Sequence, residues 1–371
     1  MNPTRVAVVG VGHLGRHHAR ILGSMPGVEL VAVADSRPEQ ARAVAEGLGV
    51  RAVVDYRELI GQVDAVSIAV PTVLHREVAG AFLEAGIPAM VEKPLAGTVA
   101  EAEELVELAR AAGATLQVGH VERFNPALDA LRESPLRPKF LSGERMAVYT
   151  FRSTDVGVVF DLMIHDIDLV LSLVDSPVKS VSAVGVALFG DHEDVADARI
   201  EFENGTIATL TASRASYATS RKMRVWGAEG YASLDFGARK ATIVRPSEEF
   251  LAGGVDLEGV DLTKPAAIKD HLFGKVLRVD QVEPPPCDQL TMELADFVAA
   301  VRDGSRPRVT GEAGLAAVRL ADRIVAALEA HRWEADADAP APSTPSHPAS
   351  TLRGPHAWRK APADRRPSVA G

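Results

Sequence analysis

The sequence predicts an α/β protein: a doubly wound parallel sheet, then an α+β domain on a mostly antiparallel open sheet. Three observations predict it. Short apolar runs alternate with helical spacing over the first 120 residues, and strand-like runs follow one another beyond about residue 122. Between the first run and the first helical stretch lies a glycine-rich loop.

Residues 5–9, 30–34, 64–70, 89–91 and 115–118 are rich in Val, Ala and Ile, as expected of strands covered by helices on both faces. Residues 14–24, 38–48, 75–85 and 98–112 carry apolar side chains at helical spacing between them. Such alternation builds a parallel sheet. Further on, residues 139–151, 178–189, 196–202, 205–213, 223–226, 231–236 and 241–245 read as strands. Turn signals such as Glu203-Asn204-Gly205 and Gly227-Ala228-Glu229-Gly230 join several of them. A helix over 161–174 precedes most of this sheet, and helices over 289–302 and 311–331 follow it. Residues 247–286 are Gly/Pro-rich and weakly periodic, and read as a long excursion. Residues 334–371 hold seven prolines and little aliphatic surface, too little to offset ordering entropy, so disorder is expected there.

Bulk properties exclude several classes. With 50 acidic and 40 Lys and Arg residues, the net charge of -10 opposes nucleic-acid binding and docking on an anionic membrane. Cys287 stands alone, which excludes an intrachain disulfide and a thiolate zinc site. No apolar run reaches the roughly 20 residues of a membrane span. The apolar start at residues 6–9 is interrupted by glycines and lacks a signal peptide's layout, so a cytoplasmic protein is expected.

The loop Gly10-Val11-Gly12-His13-Leu14-Gly15 has GxGxxG spacing between a strand and a helix. Gly10 permits the tight turn, Gly12 lets backbone approach a pyrophosphate, and Gly15 lets the helix pack close. The helix N-terminus favours phosphate. Asp35, 20 residues after Gly15, ends the second run and suits the ribose hydroxyls of NAD. Its charge repels a 2′-phosphate, although Arg37 could hold one, so NADP stays open. Residues 1–122 therefore read as an NAD(P)-binding Rossmann domain, 123–333 as a substrate-binding and oligomerisation domain, and 334–371 as a tail.

Ligands in open α/β sheets bind beyond the carboxyl ends of the strands. Val70-Pro71-Thr72 and Glu92-Lys93-Pro94 fall there. Lys93 can stabilise an oxygen gaining charge, or simply pair with Glu92. Asp161, His165 and Asp168 are spaced along one face of an otherwise apolar helix. His165 can be a general base, with an ordinary pKa of about 6.5. A satisfied core histidine, or an Asp161/His165 metal pair, would also fit; two ligands alone do not make a metal site.

These elements together resemble the glucose-fructose oxidoreductase / inositol dehydrogenase / rhizopine-catabolism (Gfo/Idh/MocA) family, over about residues 5–328. The marks are the glycine loop, Pro71-Thr72 with His75, Glu92-Lys93-Pro94, and Asp161 with His165. The resemblance implies NAD(P)-dependent oxidation of a sugar-like hydroxyl, with Lys93, Asp161 and His165 catalytic. It implies that loop residues His13 and Leu14, with Pro71, Thr72, His75 and Glu92, meet the cofactor. It also implies that Lys93-Pro94 can be cis, and that the open sheet forms a homodimer or homotetramer. In the mechanism it suggests, Asp161 orients His165 or anchors a neighbouring hydroxyl.

The segment His120-Val121-Glu122-Arg123-Phe124-Asn125-Pro126 more narrowly resembles the UDP-N-acetylglucosamine 3-dehydrogenase branch, which serves lipid A synthesis. Arg123 then suits a diphosphate and Asn125 an amide or hydroxyl, with His120 and Asp168 beside them. Alternatively, Asn125-Pro126 only caps a helix. Arg214, Arg221 and Lys222 are further cations, for which solvated strand faces are the simpler explanation. An inositol or free-sugar dehydrogenase is the alternative activity, and a non-catalytic NAD-dependent sugar sensor the alternative of another class.

Overall fold

The computed structural model describes residues 2–150, 156–189, 192–254, 260–283 and 288–331. The expected tail at 334–371 and Cys287 lie outside the described residues.

The first sheet contains β1 (Thr4–Val9), β2 (Val28–Ala34), β3 (Arg51–Val53), β4 (Ala65–Ile68), β5 (Ala89–Glu92) and β6 (Leu116–Gly119). They are all parallel, in the order β3-β2-β1-β4-β5-β6. The order reverses between β1 and β4, which opens a crevice at their carboxyl ends. Helices α1 (Gly15–Ser24), α2 (Pro38–Leu48), α3 (His75–Glu84) and α4 (Val99–Ala112) cover both faces. The period of two along β1 feeds both cores. Val6 and Val8 pack with Leu22 and Leu30, whereas Ala7 and Val9 pack with Phe82 and Leu83. Each such large side chain contributes about 1.5–3 kcal/mol on full burial. Local signals set the helix ends: Thr98 and Glu101 form a capping box on α4, and Gly113 ends it in the left-handed region. Strand β3 escapes the sequence pattern because it has three residues and buries only Val53.

The second sheet has eight strands in the order β14-β13-β12-β11-β7-β10-β9-β8. They are β7 (Phe140–Met146), β8 (Val178–Val186), β9 (Val195–Phe202), β10 (Ile207–Ser213), β11 (Ser220–Gly227), β12 (Gly230–Asp235), β13 (Lys240–Pro246) and β14 (Leu277–Val282). Only β7 and β10 pair in parallel. One face is covered by α5 (Pro126–Glu133), α6 (Ile164–Leu173) and α10 (Gly311–Ala330), which pack Leu128, Ile167 and Ile324 against Leu141, Ile200 and Leu210.

Two expectations need correction. The stretch 247–286 is not an irregular excursion: it holds α7 (Glu248–Gly253), α8 (Pro265–His271) and the edge strand β14. Neither helix buries a residue, and at six and seven residues both are too short to show a helical period. The helix expected over 161–174 also begins differently. Val159–Met163 forms one turn of wider, π-type helix before α6, so Asp161 and His165 do not keep simple α-helical spacing.

The chain then returns to the first sheet. Helix α9 (Gln289–Asp303) packs Leu294, Phe297 and Val298 against Val6 and Val8. The Val118 N–H donates to Val309 O at 3.0 Å, and α10 enters both cores through Val318 and Leu320. Helix α10 thereby contributes side chains to the cores of both domains.

Candidate active site

The glycine loop has the shape its spacing requires. Gly10 has φ +83°, and a Cβ there would lie 2.7 Å from the Ala69 carbonyl carbon. A Cβ on Gly15 would lie 1.7 Å from Gly10 O, so only glycine lets α1 approach this closely. A Cβ on Gly12 would meet nothing nearer than Gln40 Nε2 at 3.8 Å. The space in front of Gly12 is thus open to a ligand, at the N-terminal end of α1. Asp35 ends β2 and accepts from the Val11 N–H at 3.1 Å and the Arg37 N–H at 3.0 Å. Its carboxylate therefore braces the loop while bordering the groove. Arg37 is exposed, with Nε 3.4 Å from Asp35 Oδ1. His13 and Leu14 are exposed on the loop rim. Glycines, carboxylate and helix end together fit a dinucleotide.

Beyond β4 and β5 lie the groups that can touch a reacting atom. Pro71 and Thr72 start a short 3-10 turn at the rim. His75, expected to meet the cofactor, is instead buried beneath that rim. Its Nδ1 lies 2.8 Å from Pro94 O and its Nε2 3.0 Å from Val70 O, so it ties the two strand-end loops together. Glu92 is also turned inward: Oε1 is 3.1 Å from His18 Nε2, and Oε2 accepts from the Lys93 N–H at 3.2 Å. Both support the cis Lys93-Pro94 loop from behind.

Lys93 points toward the second domain. Its Nζ donates to Asp161 O at 2.6 Å and stands 3.7 Å from Asp161 Oδ1. The side chains are 17% and 21% exposed, enough for a substrate to reach them. Burial and the nearby Arg145 pull the Lys93 pKa down, against the opposing pull of Asp161 and Glu92. Asp161, expected to orient His165 or anchor a neighbouring hydroxyl, stands beside Lys93 from the wide turn that precedes α6.

His165 is part-buried on α6, with Nδ1 enclosed and without a partner, which leaves Nε2 to meet a ligand. Burial, then the charges of Lys93, Arg145 and Arg221, hold its pKa well below 6.5. An imidazole in that state is neutral at pH 7 and ready to accept a proton. His120, at the end of β6, is buried edge-on to His165 with ring centroids 6.5 Å apart, and burial lowers its pKa as well.

The residues expected to grip a substrate behave differently. Arg123 Nε donates to Asp168 Oδ2 at 2.8 Å, and both side chains are buried. Asn125 is fully enclosed: it caps α5 through the Ala127 N–H and donates to Glu122 and to Phe236 O. Arg214 is buried against Asp194 at 2.7 Å and Val156 O at 2.7 Å. Asn125, Arg214, Arg123 and Asp168 are thus all held by neighbouring protein atoms. Sequence reading missed the centre of this network. Arg145 donates to both carboxylate oxygens of Asp166, at 2.8 and 3.0 Å, and to Glu122 at 3.1 Å, all buried. The available signal was an arginine at an inward position of β7, in step with Leu141 and Gly143.

A glycine loop that fits a dinucleotide, in a chain that carries Lys93 at a strand end and a neutral His165 on α6, is the equipment of an NAD(P)-dependent oxidoreductase acting on CH–OH groups. Comparison with known proteins carries this further. Residues 4–120 match the model described as "Oxidoreductase family, NAD-binding Rossmann fold", and residues 133–233 match the GFO/IDH/MocA C-terminal domain. The chain belongs to the Gfo/Idh/MocA family of oxidoreductases. It is 38% identical over 287 residues to a UDP-N-acetylglucosamine 3-dehydrogenase of Acidithiobacillus ferrooxidans, covering 76% of this chain and 91% of that protein. A solved structure of the A. ferrooxidans enzyme superposes with TM-score 0.77 at 34% identity, covering 89% of this chain and 99% of that one. An inositol 2-dehydrogenase of Rhizobium meliloti is 26% identical over 347 residues, 88% of this chain and 98% of that protein. No helix among the described residues is long and apolar enough to cross a membrane.

Proposed function

We propose that the chain oxidises the 3-hydroxyl of a UDP-N-acetylhexosamine such as UDP-N-acetylglucosamine, in the cytoplasm, as a homo-oligomer. The observation that supports the chemistry is that Lys93, at the end of a strand of the first sheet, reaches Asp161 O at 2.6 Å, four residues before His165. The substrate rests on the likeness to the A. ferrooxidans enzyme.

NAD bound at the glycine loop would supply the hydride acceptor. Gly12 and the N-terminal end of α1 would hold its pyrophosphate, and Asp35 its ribose. His165 takes the hydroxyl proton as the carbinol C–H bond breaks, a contribution of about 10²–10⁴-fold for a well-placed base. The Lys93 ammonium sits where the substrate oxygen gains negative charge. Asp161 keeps Lys93 aimed and charged. The 3-keto product is suited to an aminotransferase, and so to a 3-amino sugar for lipid A.

The test is a panel of UDP-sugars, free sugars and inositols scored by NADH absorbance. Turnover concentrated on UDP-N-acetylglucosamine supports the reading, and turnover of inositol alone would replace it.

A further inference from the structure

Resting on the nucleotide-sugar reading, we propose that Arg221 is the specificity residue that grips the substrate's diphosphate. The pairing of β7 with β11 sets Arg221 directly opposite Arg145. On β11 the buried Met223 and Val225 define the inner face, which Arg221 shares by the strand's period of two. Lys222 and Arg224 are on the outer face, where solvent explains them. Arg221 is exposed, opposite the Arg145 that holds Asp166, the neighbour of His165 in the chain.

Its neighbour across the strand is fully engaged: Arg145 is held by Asp166 and Glu122. Arg221 makes no side-chain hydrogen bond or ion pair among the described residues, yet its charge is felt at His165 and Asp166. A cation whose charge reaches His165 keeps that base neutral but opposes the proton it takes up in the reaction. Negative charge on the bound substrate offsets that opposition. A diphosphate does so, and a guanidinium fork matches its oxygens. Free sugars and inositols carry no such group, so Arg221 would separate the two substrate classes.

The segment that distinguishes the narrower branch holds this arginine in place. Arg221 O accepts from the Phe236 N–H at 2.9 Å, and Phe236 O accepts from Asn125 Nδ2 at 3.1 Å. Asn125 Nδ2 also donates to Glu122 at 3.0 Å, and Glu122 holds Arg145. Glu122 and Asn125 thus brace the strand ends that carry Arg221, and act on substrate choice without touching substrate.

The test measures UDP, uridine and NAD binding to the full-length protein by calorimetry, with UDP-N-acetylglucosamine turnover alongside. Arg221→Ala weakens UDP binding by about 10- to 100-fold, the loss expected of one charged hydrogen-bonding group. Uridine and NAD binding stay at wild-type values, which also shows that the variant folds. Arg221→Lys keeps the charge without the fork and recovers part of the UDP affinity. Wild-type UDP affinity in Arg221→Ala overturns the inference and leaves the nucleotide-sugar reading standing. If the wild-type protein binds no UDP and turns over no UDP-sugar, that reading fails, and the inference fails with it.

Discussion

Lys93→Met removes the ammonium while keeping an unbranched stem of similar length in the same part-buried position. In the wild type, Lys93 Nζ is anchored 2.6 Å from Asp161 O, with only 17% of the side chain exposed. A full charge about 3 Å away, at an effective dielectric near 20, interacts with this ammonium by about 5 kcal/mol. The ground-state hydroxyl already takes up part of that interaction as a dipole. The differential stabilisation is therefore about 3–4 kcal/mol, or roughly 10²–10³ in kcat, in line with loss of one oxyanion donor. The lost partner does not unfold the site, because Asp161 is reachable by water. Steady-state kinetics by NADH absorbance, with NAD affinity from fluorescence quenching, separates the effects. The expected result is a kcat loss of that size with NAD affinity unchanged. An unaltered kcat removes Lys93 from the chemistry, and a loss matched by weakened NAD binding makes its role one of cofactor support.

Further outcomes follow from the same geometry. The pH profile of kcat/KM should stay level through neutrality and fall on the acid side only well below 6.5, because burial and nearby cations depress the His165 pKa. On the alkaline side it falls before 10.5, where the depressed Lys93 loses its charge; an acid midpoint at or above 6.5 contradicts the assignment of His165 as base. Gly12→Ala should leave the melting temperature almost unchanged and weaken NAD binding, since its Cβ enters only the ligand space. Gly15→Ala should damage the fold itself, because its Cβ collides with Gly10 O. Arg145→Met strands Asp166 and Glu122 in the interior and should cost about 3–5 kcal/mol of stability in urea denaturation. A cost below about 1 kcal/mol would show that water replaces the arginine.

Much of this was legible locally. The strand–loop–helix order around Gly12 and the strand ends at Val70 and Glu92 are written in short-range patterns, and so the groove could be placed before any coordinates. Lys93 and His165 stood out as polar groups in apolar surroundings, and the family resemblance alone gave them a proposed role. What remained hidden is long-range or irregular. No local pattern tells that α9 returns to cover Val6 and Val8, or that Arg123 is already engaged by Asp168. The wide turn at Val159–Met163 moves Asp161 off the face that regular spacing assigns to it. Residues 247–286 looked shapeless because their helices, of six and seven residues, are too short to show a period.

The most direct check follows a labelled hydrogen. UDP-N-acetylglucosamine carrying deuterium at C3 is incubated with the protein and NAD, and the reduced cofactor is weighed by mass spectrometry. The account predicts one deuterium in the reduced nicotinamide and a slowed turnover in single-turnover conditions. Reduced cofactor without deuterium, or no reduced cofactor at all, contradicts it.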